Sequence, residues 1–436
     1  MSLKLSPKQL QDVADNLFLM RSPAQAKLPR PQTTGPAAFT AALAPIAADP
    51  RFKDIGVGVV DVTNADGVHP PNVWLNNESR SWRIASTGKL AIMLAAVQLR
   101  DDVRRILDLG ILSKPSDFDE LFKMAPLWNL SKNQPGSFRV SRITEVPPRP
   151  STIFDFDVLP VDFTGPIIQP DNQALKQSIH DRLPPDAALR ELSWEKLPDF
   201  KFSERFWLMG AFSDNVAATS CLSEIGVPYM KGVERVYGLF DVSNGMHMLL
   251  SDGYSYHDLA GSPVAVDRAK PSGATYRPVT DQEYLDVEDM FSDKYTLKAN
   301  VRKSRQPGSA AALTAYMIAL LQHELVDPGQ TSTRGDAGCR TIQDNLADGS
   351  QLSIASEIAG RIGTLPGTTI TRQINKIGIL QVSNGEEPPG ITCEFVYMET
   401  KDAGTGKELK YAVVGTGIKE HGPDLGEAIH KALMTL

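Results

Sequence analysis

The hydrophobic pattern divides the chain into helix-like, strand-like and patternless stretches. The N-terminal residues space their apolar positions as a short helix over about Pro7–Met20, followed by a polar linker ending in "KLPRPQTTGP". "AAFTAALAPIAADPRF" returns to helical spacing. "IGVGVVDV" (Ile55–Val62) is apolar and β-branched, and "NADG" after it is a turn signal. A strand is predicted there and a second at "NVWLN". From Ser86 to Leu112 the chain is apolar on nearly every face as far as Gln98, which predicts a central buried helix. "SERFWLMGAFSDNVAATSCLSEIG" reads as helix with a break at Ser213, "SAAALTAYMIALLQHELVD" (Ser309–Asp327) as helix, and "CRTIQDNL" as a short one.

The end of the chain reads as three strands, "NKIGILQVSN", "ITCEFVYMET" and "KYAVVGTGI", and a helix in "PDLGEAIHKALMTL". The connections "GEEPPG" and "KDAGTGKE" are short and turn-rich, which favours an antiparallel meander. The strand at 55–62 joins that sheet from the other end of the chain. The predicted fold is α/β of the α+β kind: an antiparallel sheet flanked by helices, plus a helical lobe built from the middle of the chain. Residues 1–36 read as an extension and linker, and 37–436 as one domain. Residues 113–200, rich in Pro, Ser and Asp, and residues 240–300, mixed and loop-rich, read as insertions outside the shared core that border its cleft.

Composition changes this picture mainly by exclusion. The chain has 436 residues, enough for two lobes, and a formal net charge of −7. No long basic run is present, so nucleic acid is not an expected partner. No apolar stretch reaches the length of a membrane span. The cysteines, Cys221, Cys339 and Cys393, are scattered and form no C-x-x-C pair, which argues against a disulfide framework or a zinc site. The histidines form no H-E-x-x-H or H-x-H pattern, and no metal or other cofactor is expected. "VVGTGIKEHG" contains G-x-G, but no βαβ unit surrounds it. The N-terminus lacks the pattern of a signal peptide; a chain beginning after a removed signal would look the same, so location stays open.

"RIASTGKLAIML" (Arg83–Leu94) admits two kinds of chemistry. A phosphate-binding loop needs G-x-x-x-x-G-K-[ST], but Arg83 stands at the first glycine position and Leu90 where the hydroxyl belongs. The other reading is S-x-x-K. On a helix, Ser86 and Lys89 share one face, and a serine hydroxyl needs a base beside it to become a nucleophile. A buried lysine can be that base, and a helix N-terminus suits an oxyanion. The bland alternative is that Ser86 only caps a helix. Two further motifs follow in order: Ser213-Asp214-Asn215 at a helix entry, and Lys376-Ile377-Gly378 opening a strand. Taken singly, each has an ordinary structural reading.

Together the three resemble the S-x-x-K, S-D-N and K-T-G set of the class A β-lactamases and penicillin-binding proteins. The resemblance covers about Phe39–Leu112, Phe206–Leu239 and Ser309–Leu436. It implies that Ser86 is the acylated nucleophile and Lys89 its base or proton relay. Ser213 would pass a proton to the leaving nitrogen. Asn215 would hold the substrate's amide carbonyl and Lys89. Lys376 would raise the local positive potential and anchor Ser213 or a substrate carboxylate. The N–H groups of Ser86 and Ile379 would form the oxyanion hole, with Gly378 and Ile379 lining the substrate. The resemblance further suggests a periplasmic or secreted protein.

The pattern departs from the family twice. Ile377 replaces the hydroxyl residue that helps hold a substrate carboxylate, and its β-branch is expected to crowd the edge of the site. A threonine there is expected to improve lactam acylation. No E-x-x-L-N segment occurs in 216–375; Glu283, Glu288 and Asp241 are the nearest acidic residues, and none fits. The expected activity is therefore acyl transfer through Ser86 on a small-molecule amide, ester or peptide, with weak lactam turnover. The alternatives are a D-Ala-D-Ala peptidase or transpeptidase-like cell-wall enzyme and a non-enzymatic binding protein on the same fold. Oligomeric state is not legible.

Overall fold

The computed structural model describes residues 3–20, 27–66, 69–123, 148–183, 192, 196–241, 244–248, 264–267, 275–278, 307–325, 333–352, 356–380 and 390–436. The chain begins with α1 (Pro7–Asn16), closed at its start by a reciprocal capping box between Ser6 and Gln9. A 3₁₀ turn at Phe18–Met20 finishes the segment expected to be one helix. This extension is packed into the protein. Val13, Leu17 and Phe18 are buried in the helical lobe, and the Phe18 N–H donates to Asp102 Oδ1 at 3.0 Å. Then come α2 (Ala37–Ala48), β1 (Gly56–Asp61), β2 (Asn72–Asn76), β3 (Ser81–Arg83) and α3 (Lys89–Asp108). The middle of the chain forms α4 (Pro115–Phe122), the pair β4 (Phe154–Asp155) and β5 (Asp162–Phe163), α5 (Gln173–Asp181), α6 (Phe202–Ala211), α7 (Asn215–Ile225) and α8 (Val227–Val236). The paired strands β6 (Val264–Asp267) and β7 (Thr275–Pro278) follow, then β8 (Pro307–Ser309), α9 (Ala310–Leu321), α10 (Thr333–Leu352) and α11 (Glu357–Gly363). The chain ends with β9 (Thr368–Leu380), β10 (Gly390–Asp402), β11 (Glu408–Thr416) and α12 (Gly422–Met434).

The main sheet has the order β2-β1-β11-β10-β9, and every neighbour in it is antiparallel. Both chain ends build it, with Gly56 opposite Thr416 and Asp61 opposite Tyr411. This is the predicted antiparallel sheet flanked by helices, with a helical lobe. On one face α2, α11 and α12 bury Phe39, Leu43, Ile362 and Ile429 against Val57, Val59 and Val413. On the other face α9 lies so close to β1 that a Cβ on Gly58 would fall 1.9 Å from Thr314 Oγ1. Behind α9 runs α3, buried without a break from Lys89 through Val103, which explains its apolar sequence as far as Val97. Tyr316 OH on α9 donates to the Leu90 carbonyl at 3.2 Å, tying the two helices.

Two expectations change. Residues 113–200 were expected to lie outside the core, yet Phe118, Ile153, Phe154, Phe163 and Ile179 are buried in the same apolar cluster as α3. Their Pro- and Asp-rich sequence hides widely spaced apolar anchors. The helix at "CRTIQDNL" is 20 residues long, because only a narrow stripe of it, Cys339, Ile342 and Leu346, needs to be apolar. Most of 240–300 lies outside the described residues, as do Glu283 and Glu288.

Candidate active site

Three local structures meet around Lys89. The first is the entry to α3. Strand β3 pairs with β8, and the chain then passes through a 3₁₀ turn at Ala85–Gly88 before Lys89 begins the helix. Ala85 takes φ 44°, in the left-handed region that non-glycine residues avoid. The turn is closed by the Thr87 N–H donating to the Ile84 carbonyl at 3.0 Å. Ser86 is half-buried on this turn, and Lys89 is completely buried.

The second is the break between α6 and α7. Ser213 sits in it at φ 58°, again in the left-handed region. Asp214 fixes the break by capping α7: its Oδ1 accepts from the Ala217 N–H at 2.6 Å, and its Oδ2 from the Leu192 N–H at 2.5 Å. Burial raises the Asp214 pKa, opposed by these N–H groups and by the charge of Lys89. Sequence reasoning gave Asp214 no role. Its preference for the N-cap position was the signal that could have supplied this positioning one.

The third is β9, an edge strand that passes against the 3₁₀ turn. A Cβ on Gly378 would lie 2.0 Å from the Ile84 carbonyl oxygen, so only glycine allows this approach. Lys376, on the same face of β9, is buried and points its Nζ to the Met209 carbonyl of α6 at 3.4 Å. Burial, and after it the charge of Lys89, holds the Lys376 pKa well below the usual lysine range. Ile379 is half-buried opposite Ile391.

The centre of the arrangement is the Lys89 amine. Its Nζ lies 2.5 Å from Asn215 Oδ1, 3.2 Å from Ser86 Oγ and 3.3 Å from Ser213 Oγ, and it also donates to the Ser213 carbonyl. One nitrogen thus touches the side chain of Ser86 and those of Ser213 and Asn215, which lie more than a hundred positions further along the chain. Chemically, an amine bridging two hydroxyls is a path along which a proton can move from one oxygen to the other.

One feature corrects the reading of the third motif. Strand alternation places Ile377 on the face opposite Lys376 and Gly378. It lies across from Glu394, whose carboxyl accepts from Ser356 Oγ and the Glu357 N–H at the start of α11. Ile377 is thus part of the α11 side of the sheet and does not crowd the edge of the site. Asp241 is engaged elsewhere, in an ion pair with Lys27 at 2.5 Å. Cys393 is buried beside Thr87, and burial pushes its thiol up to about 12, which makes it unreactive. Among the described residues, no group of three or more His, Cys, Asp or Glu could hold a metal ion, and no helix is long and apolar enough to cross a membrane.

No family model matches the chain, and no curated protein matches it significantly. Solved structures similar to it include β-lactamases. The TLA-1 extended-spectrum β-lactamase is 12% identical, with a TM-score of 0.41, over 92% of this chain and 99% of that one. A class A β-lactamase from Bacteroides cellulosilyticus is 10% identical, with a TM-score of 0.43, over 92% and 100%. A β-lactamase from Sphaerobacter thermophilus is 14% identical, with a TM-score of 0.40, over 91% and 97%.

Proposed function

We propose that the protein is a serine hydrolase that transfers an acyl group through Ser86, from a small amide or ester. The observation that carries this reading is the Lys89 amine within hydrogen-bond distance of Ser86 Oγ, Ser213 Oγ and Asn215 Oδ1.

When Lys89 is neutral, its lone pair takes the Ser86 hydroxyl proton as Oγ attacks the substrate carbonyl carbon. The carbonyl π electrons move to oxygen, and N–H groups at the start of α3 and on β9 stabilise that oxyanion. The proton then passes from Lys89 through Ser213 to the leaving nitrogen or oxygen. The C–N or C–O bond breaks, leaving an ester on Ser86. Asn215 orients Lys89 throughout. Lys376 adds positive potential to the cleft when protonated, and its depressed pKa makes that contribution strongest at lower pH.

Hydrolysis of the ester needs water and a base. Asp214, the carboxylate within the second motif, has one oxygen taken by the Ala217 N–H and the other by the Leu192 N–H. With no E-x-x-L-N segment in 216–375, this supports a long-lived acyl-enzyme with lactams and weak lactam turnover. Intact-mass measurement after incubation with a penicillin or a fluorophosphonate tests the reading. The wild-type chain is expected to gain one adduct that persists, and Ser86→Ala none. An unlabelled wild-type chain, or fast complete penicillin hydrolysis by it, would each overturn part of the reading: the first the nucleophile, the second the slow deacylation.

A further inference from the structure

A cavity lies in the helical lobe, walled by α3, α6, α10 and the loop that follows β5. Its volume is about 150 Å³, the share of roughly five liquid waters. Its apolar wall is formed by Phe163, Ile168 and Phe206, and its polar wall by Ser203, Asp344 and Asn345.

The hydrogen-bonding state of these walls is one-sided. Two of the donor groups are already engaged with the protein. Arg100 spends one terminal nitrogen on Asp162 at 2.7 Å and the other on Thr341 Oγ1 at 2.9 Å, and its guanidinium stacks 4.9 Å from the centre of the Phe163 ring. Asn345 spends its Nδ2 on the Thr341 carbonyl at 2.6 Å. Two buried oxygens are open. Asn345 is 7% exposed, and its Oδ1 has no hydrogen-bond partner; neither has Ser203 Oγ. Asp344 adds a carboxyl group that burial disfavours in its charged form, with Arg372, Asp348, Arg340 and Lys176 as the charges acting on it. Buried acceptors without donors select a ligand that brings N–H groups. A carboxylate would set its oxygens against Asn345 Oδ1 and the Asp344 carboxyl group.

We propose that this cavity binds a small primary ammonium ion, with its N–H groups donating to Asn345 Oδ1 and Ser203 Oγ and a short hydrocarbon body lying against Phe163 and Phe206. The site is separate from Lys89 and does not depend on acyl transfer. It borders the α6 segment near Lys376, because Asn345 packs where a Cβ on Gly210 would come within 3.0 Å of it. Ile167, 70% exposed, stands at its mouth.

The test titrates n-butylammonium, and in parallel butanoate, into the ¹⁵N-labelled full chain at constant ionic strength. Butylammonium is expected to give saturable shifts in the amides of α6 and α10 around Ser203 and Asn345, and butanoate none. Asn345→Leu and Ile167→Trp are each expected to weaken the effect at least tenfold. The proposal is overturned if butanoate saturates the same amides equally well or if neither compound moves them, which would mean a cavity for water only. It is also overturned if butylammonium binds both variants as it binds the wild type. Should Asn345→Leu fail to fold, Ile167→Trp, altered at an exposed position, decides the matter alone.

Discussion

Lys89 and Lys176 are both buried lysines, and their surroundings differ in kind. Lys176, on α5, meets the Asp348 carboxylate at 2.7 Å and the Pro170 carbonyl at 2.6 Å. The other oxygen of Asp348 takes the Trp207 indole N–H at 2.8 Å. The ion pair therefore joins α5 to α10 and α6 with both members satisfied. The oxygens around Lys89 include those of two hydroxyls, an amide and a carbonyl. Asp214 is close enough to feel its charge, but that carboxylate holds backbone N–H groups. An adjacent carboxylate favours the charged form of a lysine more strongly than neutral oxygens do. One buried lysine ties the fold together, and the other is the one we propose as the proton carrier.

This contrast can be broken by experiment. Lys89→Met is expected to lower the rate of Ser86 acylation by roughly 10²–10⁴-fold, the usual contribution of a general base, with the thermal midpoint kept or raised. Stopped-flow or mass-resolved labelling gives the rate, and loss of stability with unchanged labelling would reverse the assignment. Asp348→Ala should do the opposite. It leaves Lys176 buried without its countercharge, so it is expected to cost about 3–5 kcal/mol in denaturant unfolding while labelling per folded molecule is kept.

Smaller effects sharpen the same comparison. Gly378→Ala drives a methyl group into the Ile84 carbonyl, which should displace the Ser86 turn. A stability loss of about 1–3 kcal/mol, with a larger proportional loss in labelling, is expected. Lys376 carries a pH signature. Its folded-state pKa lies below its unfolded value, so between the two the unfolded chain binds the extra proton. Stability should therefore rise with pH through that window, toward about 10.4, and be flat in this respect below the folded value. Denaturation across pH should show this slope in the wild type and lack it in Lys376→Met. Ile377→Thr should change least: labelling within about twofold, and roughly 1 kcal/mol of stability lost from the α11 side.

The sheet was legible because its strands are apolar runs separated by turn residues, and α3 because a helix buried all round has no polar face. The S-x-x-K, S-D-N and K-I-G stretches were legible as types at spacings. What brings them together was not. The left-handed turns at Ala85 and Ser213 carry no glycine to announce them. The close pass of β9 over the turn is a tertiary contact that shows in sequence only as Gly378. Reading Ile377 as a cleft residue failed for a related reason: strand alternation decides which side chains face the cleft, and motif spelling does not. Lys176–Asp348 was invisible because its partners are 172 positions apart.

The backbones at Ala85 and Ser213 also bear on how such a protein would change under selection. Residues with side chains held at positive φ store roughly 1–3 kcal/mol each, and glycine would release much of it. A population of variants screened only for heat resistance should therefore drift toward glycine at both positions. Those same substitutions loosen the turns that aim Ser86 and Ser213 at one amine. Selection for durability and selection for reaction rate would pull these two positions in opposite directions, and a lineage's residues there would record which pressure dominated.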